Sequence, residues 1–262
     1  MSEGKVRYWV EGGIAILELC DPPANCYSYE MMRELDEAIL RARFDPSVHV
    51  LLLRGEGDRF FCAGADIQML RSADPHFKYH FCLHANETLA RLEQTPKLVL
   101  AALNGHCVGG GLEIALACDL RLGRKGGGKV GLPEVRLGVL PGTGGTQRLA
   151  RLLGRARAIE LMATGRLLSV EEAHGIGLVD VLLEADGFSE QAIAYARQFL
   201  APNCASRAVG HIKRAVVSGL EASLAEGLAL ERELQQRLFE SDDAREGIEA
   251  YLEKREPRFR GR

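Results

Sequence analysis

The chain has 262 residues, enough to bury a sizeable core as one large domain or as a domain with an appendage. Hydrophobic residues make up 47% and charged residues 26%, an ordinary balance for a folded protein, and a net charge of −3 gives no reason to expect nucleic acid or another polyanion as partner. No run of about 18 apolar residues is present to span a bilayer, and Met1 to Lys5 lacks the basic-then-apolar order of a secretion signal, so a soluble cytoplasmic protein, or one of the mitochondrial matrix, is expected.

Residues 5 to 11 and 14 to 20 read as two strands joined at Gly12-Gly13, a hairpin that Asp21-Pro22-Pro23 ends. Ser28 is a good N-cap for a helix from Tyr29 to about Phe44, whose Met31, Met32, Leu35, Ile39 and Leu40 make one face. Pro46 stops it. Val48 to Leu53 is an almost continuous apolar run, which suits a strand covered on both sides. A loop from Phe60 to Ile67 follows, then a helix from about Pro75 to Glu93. Its His76, His80 and His84 share a face at four-residue spacing, but no carboxylate stands among them, and a polar stripe is favoured over a metal site.

From Lys97 to Arg148 the sequence is densest in signals. A buried strand, Leu98 to Leu103, leads through Asn104-Gly105 to the run Gly109-Gly110-Gly111, which opens a short apolar helix carrying Glu113. Without a Cβ, glycine lets the chain turn sharply and bring its N–H groups close to a ligand. Where such a run opens a helix, the first N–H groups have no partner within the helix and can face an anion or a developing oxyanion. Glu113 stands among Leu112, Ile114, Ala115 and Leu116, where a carboxylate needs a reason to be buried. Strand Leu120 to Arg124 comes next, and later Pro133-Glu134 and Pro141-Gly142-Thr143-Gly144-Gly145. Gly123 to Lys129 matches seven positions of a phosphate-binding P-loop, but Val130-Gly131-Leu132-Pro133 follows where a Ser or Thr and a helix are needed. A surface turn is the better reading.

From Thr146 onward the pattern is mostly helical: Gln147 to Leu153, Ala156 to Thr164, and a short helix opened by the capping box Ser169-Val170-Glu171-Glu172. Val179 to Leu183 is a last strand. Helical stretches at about 189 to 200, 205 to 217, 220 to 240 and 242 to 255 complete the chain. The alternation of strands and helices gives α/β architecture with right-handed crossovers. The division expected is an α/β core, 1–189, and a C-terminal helical subdomain, 190–262. The seven cysteines are odd in number and lack any Cys-x-x-Cys pair, so they are expected to be reduced core residues, without a disulfide or metal role.

Three blocks then bring a family into view: Phe61-Cys62-Ala63-Gly64-Ala65-Asp66-Ile67, Asn104 through Glu113, and Gly131-Leu132-Pro133-Glu134 through Leu149. In this order and spacing they strongly resemble the crotonase superfamily, and within it the enoyl-CoA hydratases. The resemblance implies a spiral of repeated ββα units and a homo-oligomer, a trimer or a dimer of trimers. It implies a 2-enoyl-CoA thioester as substrate, hydrated reversibly to a 3-hydroxyacyl-CoA in fatty-acid β-oxidation, with no cofactor beyond the CoA of the substrate and no metal. By the same matching, the N–H groups of Ala65 and Gly110 form the oxyanion hole, and Glu113 and Glu134 act as base and acid. Ala63, Asp66, Ile67 and Gln68 lie in the loop along the CoA moiety, and Gly142 heads a glycine turn whose helix adds polarisation. A 3-enoyl-CoA isomerase is the alternative, although such enzymes generally retain only the second glutamate. Less favoured are an RNA-binding relative, which would carry a lysine-rich first helix where residues 29 to 44 contain no lysine, and a non-catalytic relative, which would more often have lost one of the glutamates. The basic tail, Lys254 to Arg262, is a candidate for contact with the CoA nucleotide. Two departures stand out: the turn at 123 to 129 is about one residue longer than usual, and Asp21 to Asn25 lacks the basic residue that relatives commonly carry there.

Overall fold

The computed structural model describes residues 4–261. The reading of the N-terminus and the end of the basic tail therefore fall partly outside the described residues. The elements follow in order as β1 (Val6–Glu11), β2 (Ile14–Leu19), α1 (Tyr29–Phe44), β3 (Val50–Gly55), β4 (Phe60–Cys62), α2 (Ile67–Ser72), α3 (Pro75–Gln94), β5 (Leu98–Leu103), β6 (His106–Val108), α4 (Gly110–Leu116), β7 (Leu120–Arg124) and β8 (Lys129–Gly131). After a 3-10 turn, Glu134–Leu137, come α5 (Gly145–Leu153), α6 (Arg155–Thr164), β9 (Leu168–Ser169), α7 (Val170–Gly175), β10 (Val181–Leu183), α8 (Phe188–Arg197), α9 (Ser206–Gly219), α10 (Leu224–Phe239) and α11 (Asp242–Glu253).

Six strands form one sheet in the order β1-β2-β3-β5-β7-β10, parallel except for the β1–β2 hairpin, and four short strands form a second, β4-β6-β8-β9. Successive strands alternate between the sheets: β3 then β4, β5 then β6, β7 then β8, each pair followed by a helix or helical turn. This is the crotonase spiral of ββα turns.

The large sheet is covered on both faces, and side-chain alternation shows how. Ala15, Leu17 and Leu19 of β2, with Leu51 and Leu53 of β3, enter a core shared with α1, α3 and α4. Ile14 and Ile16, with Val50 and Leu52, point the other way into a second core, closed by Phe188, Ala192 and Ala196 of α8. The continuous apolar runs are the signature of that double burial. Residue 190 falls inside α8, so the helix that caps this second core spans the division expected from the sequence.

Two buried asparagines hold the passage from one sheet to the other. Asn104 Nδ2 donates to the carbonyls of Gly55 and Gly57, and its Oδ1 accepts from Gly55 N–H at 3.0 Å. Asn25 Nδ2 donates to the carbonyls of Glu56 and Phe60 at 3.0 and 2.9 Å. Both fasten the β3–β4 connection, so the Asn104-Gly105 signal is structural. The P-loop-like stretch is the turn between β7 and β8, with Gly126 N–H donating to Glu171 and Lys125 paired with Glu184.

Candidate active site

The site lies where the small sheet feeds its helices. Gly109 has φ +57°, in the region that favours glycine, and its N–H donates to Gly131 O at 2.9 Å, tying the end of β6 to β8 before α4 begins. Gly110 is required for a different reason: a Cβ there would stand 1.7 Å from a ring carbon of Tyr27. Tyr27 also forms a bridge with Ala65, taking Asp66 N–H on its carbonyl and donating its own N–H to Gly64 O. The Ala65 N–H is left outside that bridge. Among the described residues neither it nor the Gly110 N–H donates to a protein acceptor, and both residues line one cavity of about 810 Å³.

Glu113 reaches this cavity from the first turn of α4 and is 1% exposed. Its Oε1 accepts from Thr143 N–H at 2.8 Å and Gly145 N–H at 2.7 Å, and its Oε2 accepts from the Thr143 hydroxyl. The glycine turn at 142 to 145 is thus a clamp on the buried carboxylate. The clamp is anchored in turn by Arg148, which pairs in a bidentate fashion with Glu93 of α3 at 2.8 and 2.7 Å and donates to Thr143 O at 3.2 Å.

Glu134 lines the same cavity from the start of the 3-10 turn, with Oε1 2.9 Å from the place a Gly109 Cβ would occupy. Its Oε2 is buried without a hydrogen-bond partner. Burial pushes its pKa up to about 7; a backbone hydrogen bond opposes the rise, the charge of Glu113 adds to it, and the Lys78 ammonium works against it. One carboxyl is therefore fully held by donors, and the other keeps a free oxygen and a proton affinity near neutrality.

The other residues singled out in the sequence divide. Ala63, Ile67 and Gly142 line the cavity. The Asp66 carboxylate caps α2, accepting from Gln68 N–H at 2.7 Å and Met69 N–H at 3.3 Å, and Gln68 is an exposed residue outside the lining. The basic tail folds back onto α11: Arg255 pairs with Glu246, and the N–H groups of Arg260 and Gly261 donate to Asp243.

A family model described as enoyl-CoA hydratase/isomerase matches residues 10–262. The chain belongs to that family. A probable enoyl-CoA hydratase of Bacillus subtilis is 37% identical over 96% of this chain and 97% of its own length. The short-chain-enoyl-CoA hydratase of Clostridium acetobutylicum is 35% identical over 94% of this chain and 93% of its own. The crystal structure of an enoyl-CoA hydratase from Geobacillus kaustophilus superposes with a TM-score of 0.96 at 46% identity, covering all of this chain and 98% of that one.

Three residues of this family member's site escape sequence reasoning. Tyr27 packs on Gly110 and stacks on Phe81 with ring centroids 5.6 Å apart. Thr143 supplies two of the donors to Glu113. Lys78 shares the cavity with Glu134. Each gains its meaning from a partner distant in sequence. The only local hint was Thr143, inside the glycine block.

Proposed function

We propose that the chain is an enoyl-CoA hydratase, adding water reversibly and syn across the double bond of a 2-enoyl-CoA thioester to give a 3-hydroxyacyl-CoA. The observation that carries this reading is the pairing of two unlike carboxyls with two uncommitted backbone donors around one cavity. Addition at Cβ moves negative charge onto the thioester oxygen, and the N–H groups of Ala65 and Gly110 are the donors that would receive it. Glu113, fixed by the 143 to 145 turn, takes a proton from the attacking water. Glu134, whose raised pKa keeps a proton available near neutrality, delivers one to Cα. Gly142 and the N-terminal end of α5 add polarisation nearby, and Ala63, Asp66, Ile67 and Gln68 belong to the loop proposed to follow the CoA.

A homo-oligomer, a trimer or a dimer of trimers, is part of the proposal. Ile212, Leu220, Leu224, Tyr251 and Leu252 on and between the C-terminal helices are all more than half exposed, apolar side chains that self-association would cover. Cytoplasmic location and a place in β-oxidation accompany the reading, and among the described residues no helix is long and apolar enough to cross a membrane.

The test compares purified Glu113→Gln and Glu134→Gln variants with the parent on 2-enoyl and 3-enoyl thioesters, following absorbance of the conjugated thioester. Loss of general acid–base help costs roughly 10²- to 10⁴-fold. Glu113→Gln is expected to lose hydration by at least about 100-fold while slow isomerisation survives better, and Glu134→Gln to lose both. A parent that shifts 3-enoyl bonds quickly and barely hydrates would make the protein an isomerase instead.

A further inference from the structure

Three cations line the cavity, Arg71, Lys78 and Arg136, and among the described residues none is ion-paired with a carboxylate. Arg71 and Arg136 are exposed at the rim. The Arg136 side chain lies back against the end of α6, its Nε 3.1 Å from where a Gly165 Cβ would stand. Lys78 is different. It is half-buried on α3, its ammonium 5.4 Å from the centre of the Phe81 ring. Asp74, one turn earlier, uses its carboxylate to cap the helix, accepting from Phe77 N–H at 2.7 Å. Glu134, which lines the same cavity, has its proton affinity raised by its own burial and, among the described residues, makes no ion pair with Lys78. The cavity that Lys78 lines is largely apolar, with Leu70, Ala73, Pro75, Val139, Leu140 and Leu167 among its walls. A half-buried ammonium with a cation–π contact and no ion pair in a largely apolar cavity is a place that a ligand bringing its own anion would complete.

We propose that Lys78 is a specificity-determining residue that pairs with a carboxylate on the acyl group, so that the preferred substrate is a short 2-enoyl-CoA with a terminal carboxylate, the half-thioester of an unsaturated dicarboxylic acid. The inference rests on the acyl-CoA reading of the same cavity. Shortness follows from position: Lys78 and Glu134 line the same cavity, so the paired carboxylate lies within the space that holds the reacting carbons. The phosphates of CoA are the other source of anionic oxygen. The exposed Arg71 and Arg136 suit a solvated phosphate better than the half-buried lysine does.

Calorimetric binding of two saturated probes, glutaryl-CoA and pentanoyl-CoA, separates these sources without requiring turnover. The parent is expected to bind glutaryl-CoA roughly tenfold tighter, the ratio that about 1.4 kcal/mol produces. In Lys78→Met, which keeps the apolar stem over Phe81, the ratio should fall towards one, and in Lys78→Arg it should persist. A parent ratio of one or less, or a ratio that survives in Lys78→Met, overturns the proposal. Equal weakening of both probes in Lys78→Met would give the lysine to the CoA phosphates and also overturn it. A parent that discriminates between the probes but hydrates no enoyl-CoA would sink the hydratase reading alone.

Discussion

Glu134 shows how burial of one side chain shifts its proton affinity. It is buried far enough for the charged form to be disfavoured, it sits near Glu113, and its Oε2 has no donor to stabilise the anion. The pKa of about 7 lies above the ordinary carboxylate value of 4.5. As the proposed acid in the proposed hydration it must be protonated, so kcat is expected to fall as pH rises through about 7, and Glu134→Gln should erase that limb along with most of the activity. Stability carries the same sign. Between pH 4.5 and about 7 the folded protein holds a proton that the unfolded chain has released, so this group's contribution is present at low pH and is lost as pH rises. Glu134→Gln should therefore melt higher than the parent at pH 8, with the gap shrinking at pH 5. Thermal unfolding of both proteins at the two pH values checks this, and a gap that widens at pH 5 would contradict the assignment of burial as the cause.

At the scale of elements, the clamp on Glu113 depends on an ion pair between two helices whose paired residues lie outside the cavity lining. Arg148, on α5, joins the glycine turn to Glu93 on α3, and both partners are mostly buried. Arg148→Met keeps the stem but removes the fork. Charge-assisted hydrogen bonds of this kind are worth about 1.5 to 3 kcal/mol, and urea unfolding should show a loss of that size. A loosened clamp also misplaces Glu113, and small misplacements cost up to about 100-fold in rate, so kcat should drop by roughly 10- to 100-fold with KM little changed. Parent-like kcat in a destabilised variant would reduce the pair to a structural tie.

Elements were legible from sequence where a local pattern recorded a global fact. The runs from Val50 to Leu53 and Leu98 to Leu103 are apolar throughout because both sheet faces are covered, and the Ser28 and Ser169 caps act within one turn of their own chain. The stretch expected to be a loop from Phe60 to Ile67 contains β4 and the start of α2 instead. Three residues are too few to show a period, and α2 buries no residue, so only the Asp66 cap announces it. In the site, Glu113 was visible as a carboxylate in an apolar turn beside glycines. Tyr27 and Lys78 were not, because an aromatic ring or an amphipathic lysine on a helix looks the same whether or not it faces a cavity.

For the whole molecule, the question is whether the C-terminal helices form a separable unit. The second core is built from Ile14, Ile16, Val50, Leu52, Leu98 and Leu100 on one side and Phe188, Ala192, Ala196 and Leu200 on the other, with Val209 of α9 packed at its edge, so the cover of this sheet face comes from the C-terminal helices. Further on, α9 is stapled to the core by Lys213, 6% exposed, which pairs with Asp119 at 2.9 Å and donates to the carbonyls of Leu92 and Lys97. Removing one partner of a buried pair typically costs about 3 to 5 kcal/mol, a large part of the stability of a domain. A fragment ending at residue 189 would expose the sheet face and leave the Asp119 carboxylate without its lysine. It is expected to be insoluble or to lack a cooperative thermal transition, whereas a fragment ending at residue 220, which retains α8 and α9, should melt cooperatively. Circular dichroism melts of the two fragments decide the matter. A cooperative, monomeric 1–189 fragment would establish residues 190 to 262 as an independent appendage, and the active site would then rest on the spiral alone.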